Sequence, residues 1–303
     1  MPTAAPLVRV VRSGLVESVH LGHAVVCDPR GRVLASLGDP DRLVFSRSSM
    51  KPLQAAVSLR RIAEPLPDDL VAVMCASHNG EPVHLRVVRR LLRTGGLSER
   101  DLGCPPDLPM EPEARRAAAG PRRITHNCSG KHAGMLLACE RSGAELASYL
   151  EPSHPLQREI LRAVRSATGV ERPVVGVDGC GAPVAAISLT GLAKGFLRAS
   201  THEVAEAMRT YPEMCSGTGR ADAQLMRAVP GLFSKGGAEG VWAAAIPGIG
   251  AVAMKIDDGA ARAHGPIMVS ALKRLGVEVD EPALVSPPVL GRGEPVGVIS
   301  SVW

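Results

Sequence analysis

Four short segments of this chain carry side chains able to do chemistry. The first is Ser48-Ser49-Met50-Lys51. On the first turn of a helix, residues i and i+3 share a face, so the Ser48 hydroxyl can sit beside the Lys51 amine. An amine whose pKa is lowered by desolvation can take a proton from a neighbouring serine, which is the logic of Ser–Lys hydrolases. The pattern alone is unspecific: Ser270-Ala271-Leu272-Lys273 repeats it and reads as helix surface. The second segment is Cys75-Ala76-Ser77-His78-Asn79-Gly80, after an apolar helix candidate at residues 70–75. It reads either as a helix C-terminus with Asn79 or Gly80 in the left-handed conformation, or as Ser77 and Asn79 facing a cleft. The third is Lys235-Gly236-Gly237-Ala238-Glu239-Gly240, where paired glycines let a substrate approach the backbone closely. Its plain alternative is a Gly-rich hairpin with an exposed lysine.

The fourth feature is split. Asn127-Cys128-Ser129-Gly130-Lys131-His132 precedes Asp178-Gly179-Cys180-Gly181 by some fifty residues. Two thiols, a lysine and a histidine near a helix start could bind a soft or borderline metal such as zinc. No Cys-x-x-Cys spacing accompanies them, and isolated cysteines are usually buried small hydrophobes.

The elements that must position these groups follow from periodicity and punctuation. Residues 7–11, 15–20, 24–27 and 32–37 read as strands, the last two around the turn Asp28-Pro29-Arg30-Gly31. Residues 48–61 read as a helix that tolerates Pro52 only in its first turn. Residues 82–94 are amphipathic, with Pro82 at the start and Gly95 just past the end. Its arginines read as a solvated face. Helices are also expected at 130–141, 155–167, 202–210 and 221–229. After Gly231, strands at 232–235, 240–246 and 251–256 form a meander, followed by a helix at 262–275 and a last strand at 296–302. Runs of strands separated from runs of helices predict an α+β fold. The N- and C-terminal strands share one antiparallel sheet flanked by helices. The expected organisation is a single catalytic domain, with residues 1–47 and 230–303 containing the sheet and 48–229 a mainly helical insert.

Composition excludes several functions. The 303 residues include 35 basic and 30 acidic side chains, for a net charge of +5 without a long basic run. Seven aromatic residues supply few stacking platforms for single-stranded nucleic acid. Seven widely spread cysteines suit unpaired thiols in a reducing compartment better than a disulfide framework. No signal-peptide pattern and no 18-residue apolar run is present, so a cytoplasmic protein with no membrane or nucleic-acid partner is expected.

Taken in order, these segments resemble the rhizobial-type bacterial L-asparaginases (the asparaginase II family), a group similar in fold to serine β-lactamases and glutaminases. The resemblance runs through Ser13–Glu17, Ser46-Arg47-Ser48-Ser49-Met50-Lys51-Pro52, Met74-Cys75-Ala76-Ser77-His78, Asn127 to His132, Asp178-Gly179-Cys180, Gly219-Arg220, Lys235 with its glycines, and Lys255-Ile256-Asp257-Asp258-Gly259. Tyr211 stands where the resemblance leads one to expect histidine. The resemblance implies two pairs, Ser48 with Lys51 and Ser77 with Lys235, meeting across a cleft. It implies one zinc ion per chain on Cys128, Lys131 and Cys180, structural or substrate-organising. Arg47, Asn79, His132, Asp178 and Gly236 would contact the substrate. The implied reaction turns L-asparagine into L-aspartate and ammonia, and the implied assembly is a homodimer. The alternatives are a glutaminase or other Ser–Lys amidase, and a non-catalytic zinc-binding protein, which would need the thiols but not the second Ser–Lys pair.

Overall fold

A computed structural model describes residues 3–303. The chain opens with strands β1 (Ala5–Arg12), β2 (Leu15–Cys27) and β3 (Val33–Leu37). A short strand β4 (Leu43–Phe45) leads through a 3-10 turn, Arg47–Met50, into helix α1 (Lys51–Ile62). Helices α2 (Asp68–Met74), α3 (Pro82–Thr94), α4 (Pro112–Ala117), α5 (Ser129–Arg141) and α6 (Pro155–Thr168) follow. Next come β5 (Val175–Val177), β6 (Pro183–Ser188), α7 (Leu189–Ala199), α8 (Glu203–Thr210), α9 (Pro212–Cys215) and α10 (Ala221–Ala228). The meander β7 (Phe233–Gly236), β8 (Val241–Ile246) and β9 (Gly250–Ile256) returns to the sheet. Helices α11 (His264–Lys273) and α12 (Pro282–Val285), then β10 (Pro288–Gly291) and β11 (Glu294–Ser301), complete the chain.

The fold is α+β, as its strand and helix pattern predicts. One antiparallel sheet runs β10-β11-β1-β2-β9-β8-β7, with β3 on the second half of β2. Pairs such as Val10 with Ile299 and Val25 with Ala253 bring the two ends of the sequence into one sheet. Val25, Val26 and Cys27 are all buried, as are Ala243 to Ala245 and Ala251 to Ala253. Successive strand residues point to opposite faces, so both faces of these strands are covered. Helices α7 and α11 pack on them, and the alanines let those helices approach closely.

Several details depart from the pattern read in the sequence, among them the short elements β4, α4, α9, α12 and β10. The two strands expected at 15–20 and 24–27 are one strand, β2. Gly22 lies inside it for proximity: a Cβ there would stand 2.1 Å from the Lys255 carbonyl on β9. The segment 48–229 also contains β5 and β6, which form a small second sheet in the order β4-β6-β5. Finally, α7 has no counterpart in the sequence reading, because Gly191 and Gly195 interrupt its pattern. A Cβ at Gly191 would stand 3.0 Å from the Thr168 carbonyl, so this glycine permits close packing against the end of α6.

Candidate active site

The Ser48 turn is built tightly. Arg47 has φ +48°, a left-handed conformation that costs a non-glycine residue energy and persists only when its surroundings hold it. Those surroundings come from β7. The Ser49 hydroxyl donates to the Lys235 carbonyl at 3.0 Å. Gly237 lies so close that a Cβ there would stand 3.2 Å from the Ser48 amide nitrogen. Arg47 donates from Nε to Asp178 Oδ1 at 2.7 Å, which ties the turn to the loop before Cys180.

Lys51, the first residue of α1, is fully buried. Its amine donates to the Ser77 hydroxyl at 2.9 Å and to the Ala76 carbonyl. Among the described residues these are the hydrogen bonds of that amine, so the amine is paired with Ser77 and not with Ser48 as the i, i+3 spacing suggested. Burial is the main influence on Lys51 and pushes its pKa below the ordinary 10.5. Lys235 and Lys131 push the same way against an opposing pull from Cys128. A neutral, proton-accepting Lys51 is therefore accessible at a lower pH than for a free lysine.

The loop that carries Ser77 is pinned on both sides. The Ser77 amide donates to the Cys215 carbonyl at 2.9 Å, and the His78 amide donates to the Asn127 carbonyl at 3.1 Å. His78 Nδ1 accepts from the Gly80 amide, which leaves Nε2 to donate to the Ser129 hydroxyl at 2.8 Å. The Asn79 amide group donates to Glu81 and to the Thr218 carbonyl.

Lys235 on β7 is buried, and its amine donates to the Gly236 carbonyl at 2.9 Å and to Asp222 Oδ2 at 3.3 Å. Burial of the Asp222 carboxyl opposes its charge, but Lys235 and Arg220 more than offset this and hold its pKa below 3.8. Neither hydrogen bond reaches Ser77, so the expected Ser77–Lys235 contact is replaced by Lys235–Asp222.

Ser48 and Ser77 line one cleft of about 380 Å³, with Gly236, Asp222, Arg220, Glu239, Trp242 and His264 among its other walls. That volume suits a small molecule. On the other side of Ser48, a narrow void of about 10 Å³ is lined by Arg47, Lys51, Lys131 and Asp178. Of the residues expected to contact substrate, Gly236 lines the cleft, while Arg47 and Asp178 stand behind Ser48. Asn79 is committed to the Thr218 loop. His132 is buried in α5, with Nδ1 2.5 Å from the Tyr149 hydroxyl.

Cys128, Lys131 and Cys180 do converge. The Lys131 amine is 2.9 Å from Cys180 Sγ, and all three residues are buried. A hydrogen bond from Cys180 holds the Cys128 thiol well below its usual pKa, while the same contact pushes Cys180 up. Burial opposes the charge on Lys131, but Cys180 and Cys128 more than offset it, so its pKa is raised. Among the described residues no three His, Cys, Asp or Glu side chains gather as a metal site. The donor set here is two sulfurs and an amine, which suits a borderline ion such as zinc once their protons are lost.

Asp222, Arg220, Glu239 and His264 were not singled out as functional from the sequence. Arg220 stood in the Gly219-Arg220 motif of the resemblance without a role, and Asp222, two residues on, carried no signal. Glu239 stood in the Lys235–Gly240 segment without a role, and His264 belongs to a helix start with no motif of its own.

Among the described residues no helix is long and apolar enough to cross a membrane. No curated protein sequence matches this chain significantly. Among solved structures, a β-lactamase from Mycobacterium bovis is 18% identical, aligned over 84% of this chain and 95% of its own, with a TM-score of 0.40. A candidate β-lactamase from Bacteroides dorei is 14% identical over 84% and 93%, with a TM-score of 0.49. At these similarities neither transfers any chemistry. The sequence profile of L-asparaginase II spans residues 8–301. The chain therefore belongs to the L-asparaginase II family and is an asparaginase-type amidohydrolase.

Proposed function

We propose that the protein hydrolyses the side-chain amide of L-asparagine to L-aspartate and ammonia by Ser–Lys catalysis. The observation that carries this reading is the buried Lys51 amine bonded to Ser77, with Ser48 and Ser77 on the wall of one small cleft.

Ser48 Oγ attacks the amide carbon, and its proton passes to neutral Lys51. Ser77, already hydrogen-bonded to Lys51, carries that proton to the departing nitrogen, which leaves as ammonia. Water then cleaves the Ser48 ester, releasing L-aspartate and restoring the serine proton. The Ser48 amide is the candidate oxyanion donor, worth about 3 kcal/mol in the transition state. Lys235, held in place by Asp222, supports Lys51 because its positive charge opposes a second one there and so lowers the Lys51 pKa.

Cys128, Lys131 and Cys180 would hold a zinc ion, whose bound charge would brace the wall behind Ser48 and orient Asp178. Zinc binding there displaces the protons of Lys131 and the thiols, so it weakens as pH falls. Ammonia release from L-asparagine and L-glutamine, with and without a chelator, tests the reading. Loss of turnover in both Ser48→Ala and Ser77→Ala supports it. Near-normal turnover in either variant refutes the assigned steps. Glutamine turnover exceeding asparagine turnover would favour the glutaminase alternative.

A further inference from the structure

Three charged side chains line the cleft: Arg220, Asp222 and Glu239. Asp222 is committed to Lys235 and to the Gly236 amide. Arg220 is different. Among the described residues its guanidinium makes no hydrogen bond or ion pair, although it is partly shielded from solvent. Arg47, the other guanidinium near Ser48, is already bonded to Asp178. An uncommitted guanidinium on the wall of a hydrolytic cleft is a fork of donors matched to a planar carboxylate.

Two further features face the same space. His264 is neutral at physiological pH, because burial lowers its pKa to about 4. Its Nε2 atom is buried without a hydrogen-bond partner. Glu239 holds φ +59° at the β7–β8 turn, a strained conformation for a side chain of its size. Its carboxylate is mostly exposed and approaches Arg47 only to 3.9 Å. The turn thus presents an acid at the mouth of the cleft rather than using it internally.

We propose that Arg220 anchors the α-carboxylate of the substrate and Glu239 its α-ammonium group, restricting the enzyme to free α-amino acids that bear a side-chain amide. This rests on the amidohydrolase reading above and deepens it. Arg220 and Glu239 take no part in bond making; they are specificity determinants.

The test uses substrates that each lack one group. β-Alaninamide is asparagine without its carboxylate, and succinamate is asparagine without its amine. kcat and KM for ammonia release are measured on all three for wild type, Arg220→Ala, Arg220→Lys and Glu239→Gln, with melting temperatures as the folding control. Losing charge-assisted hydrogen bonds should cut kcat/KM of Arg220→Ala for L-asparagine about 10- to 100-fold, mostly through KM. Activity on β-alaninamide should be weak in wild type and unchanged in Arg220→Ala. Glu239→Gln should weaken L-asparagine but leave succinamate unchanged, and Arg220→Lys should recover part of the loss. An equal proportional loss on L-asparagine and β-alaninamide, or none on L-asparagine, overturns the proposal. Calorimetric titration with L-aspartate separates it from the catalytic reading. If wild type turns over no amide but binds L-aspartate, and Arg220→Ala does not, the anchor stands and the hydrolase reading falls. If wild type fails to bind L-aspartate, the anchor falls.

Discussion

Substituting Gly237 should damage catalysis in proportion to side-chain size while leaving the fold largely intact. Its backbone is not in the left-handed region, so conformational strain is not the obstacle; space is. A Cβ would stand 3.2 Å from Arg47 Cβ, from the Ser46 carbonyl and from the Ser48 amide, against 3.4–4 Å for ordinary contact. Strand β7 is held by antiparallel pairing from Phe233 to Gly236, so the Ser46–Ser48 turn is the partner that must yield. Gly237→Ala asks it to move by a few tenths of an ångström. If a misplacement of about 1 Å costs about 100-fold, that shift costs roughly 3- to 10-fold in kcat. Gly237→Val adds two methyl groups on the same side and should approach the full 100-fold. Overpacking of this kind destabilises by about 1–3 kcal/mol, which lowers Tm by only several degrees in a chain of this size. The assay is steady-state ammonia release from L-asparagine alongside thermal melting. A folded Gly237→Val protein with undiminished kcat would refute the placement of Ser48 as nucleophile against this strand.

Lys51→Met should abolish ammonia release by at least about 1,000-fold, yet leave Tm unchanged or raised, because it removes a buried amine whose charge is costly; activity and melting on the same preparation check both halves. The alkaline-rising limb of kcat/KM should show an apparent pKa below 10.5, because Lys51 must be neutral to accept a proton and burial lowers its pKa. Removing a nearby positive charge with Lys235→Gln should move that limb to higher pH, measurable wherever residual activity permits a pH profile. Cys180→Ser should lower the zinc content found by elemental analysis, and the wild-type protein should lose metal as pH falls and its ligands protonate. Gly130→Ala should destabilise by about 3 kcal/mol or more or prevent folding, because its Cβ would stand 2.1 Å from the Val73 carbonyl where α5 meets α2; denaturant unfolding measures it.

The sequence by itself determined the local elements whose signals are local. Helix α3 is legible to the residue, since Pro82, Gly95 and an amphipathic stripe act within one segment. The α+β class is legible because strands and helices occupy separate runs, while Cys128, Lys131 and Cys180 were named as a set only through the family resemblance of their motifs. Tertiary structure decided who touches whom. The i, i+3 rule for Ser48 and Lys51 presumes an α-helical turn. Here Ser48 lies in a 3-10 turn behind a left-handed Arg47, where i and i+3 still share a side, so local geometry alone does not choose the partner of Lys51. Packing directs the Lys51 amine into the core, where Ala76 and Ser77 accept its hydrogen bonds. Lys235 turns likewise to Asp222, thirteen residues earlier in the chain. Arg220, Glu239 and His264 line one cleft only because α10 packs on β7 and α11 on β9, bringing distant segments together. Local spacing names candidate chemistry, but long-range packing selects the partners of a buried charge, because an unpaired one costs more than any local preference returns.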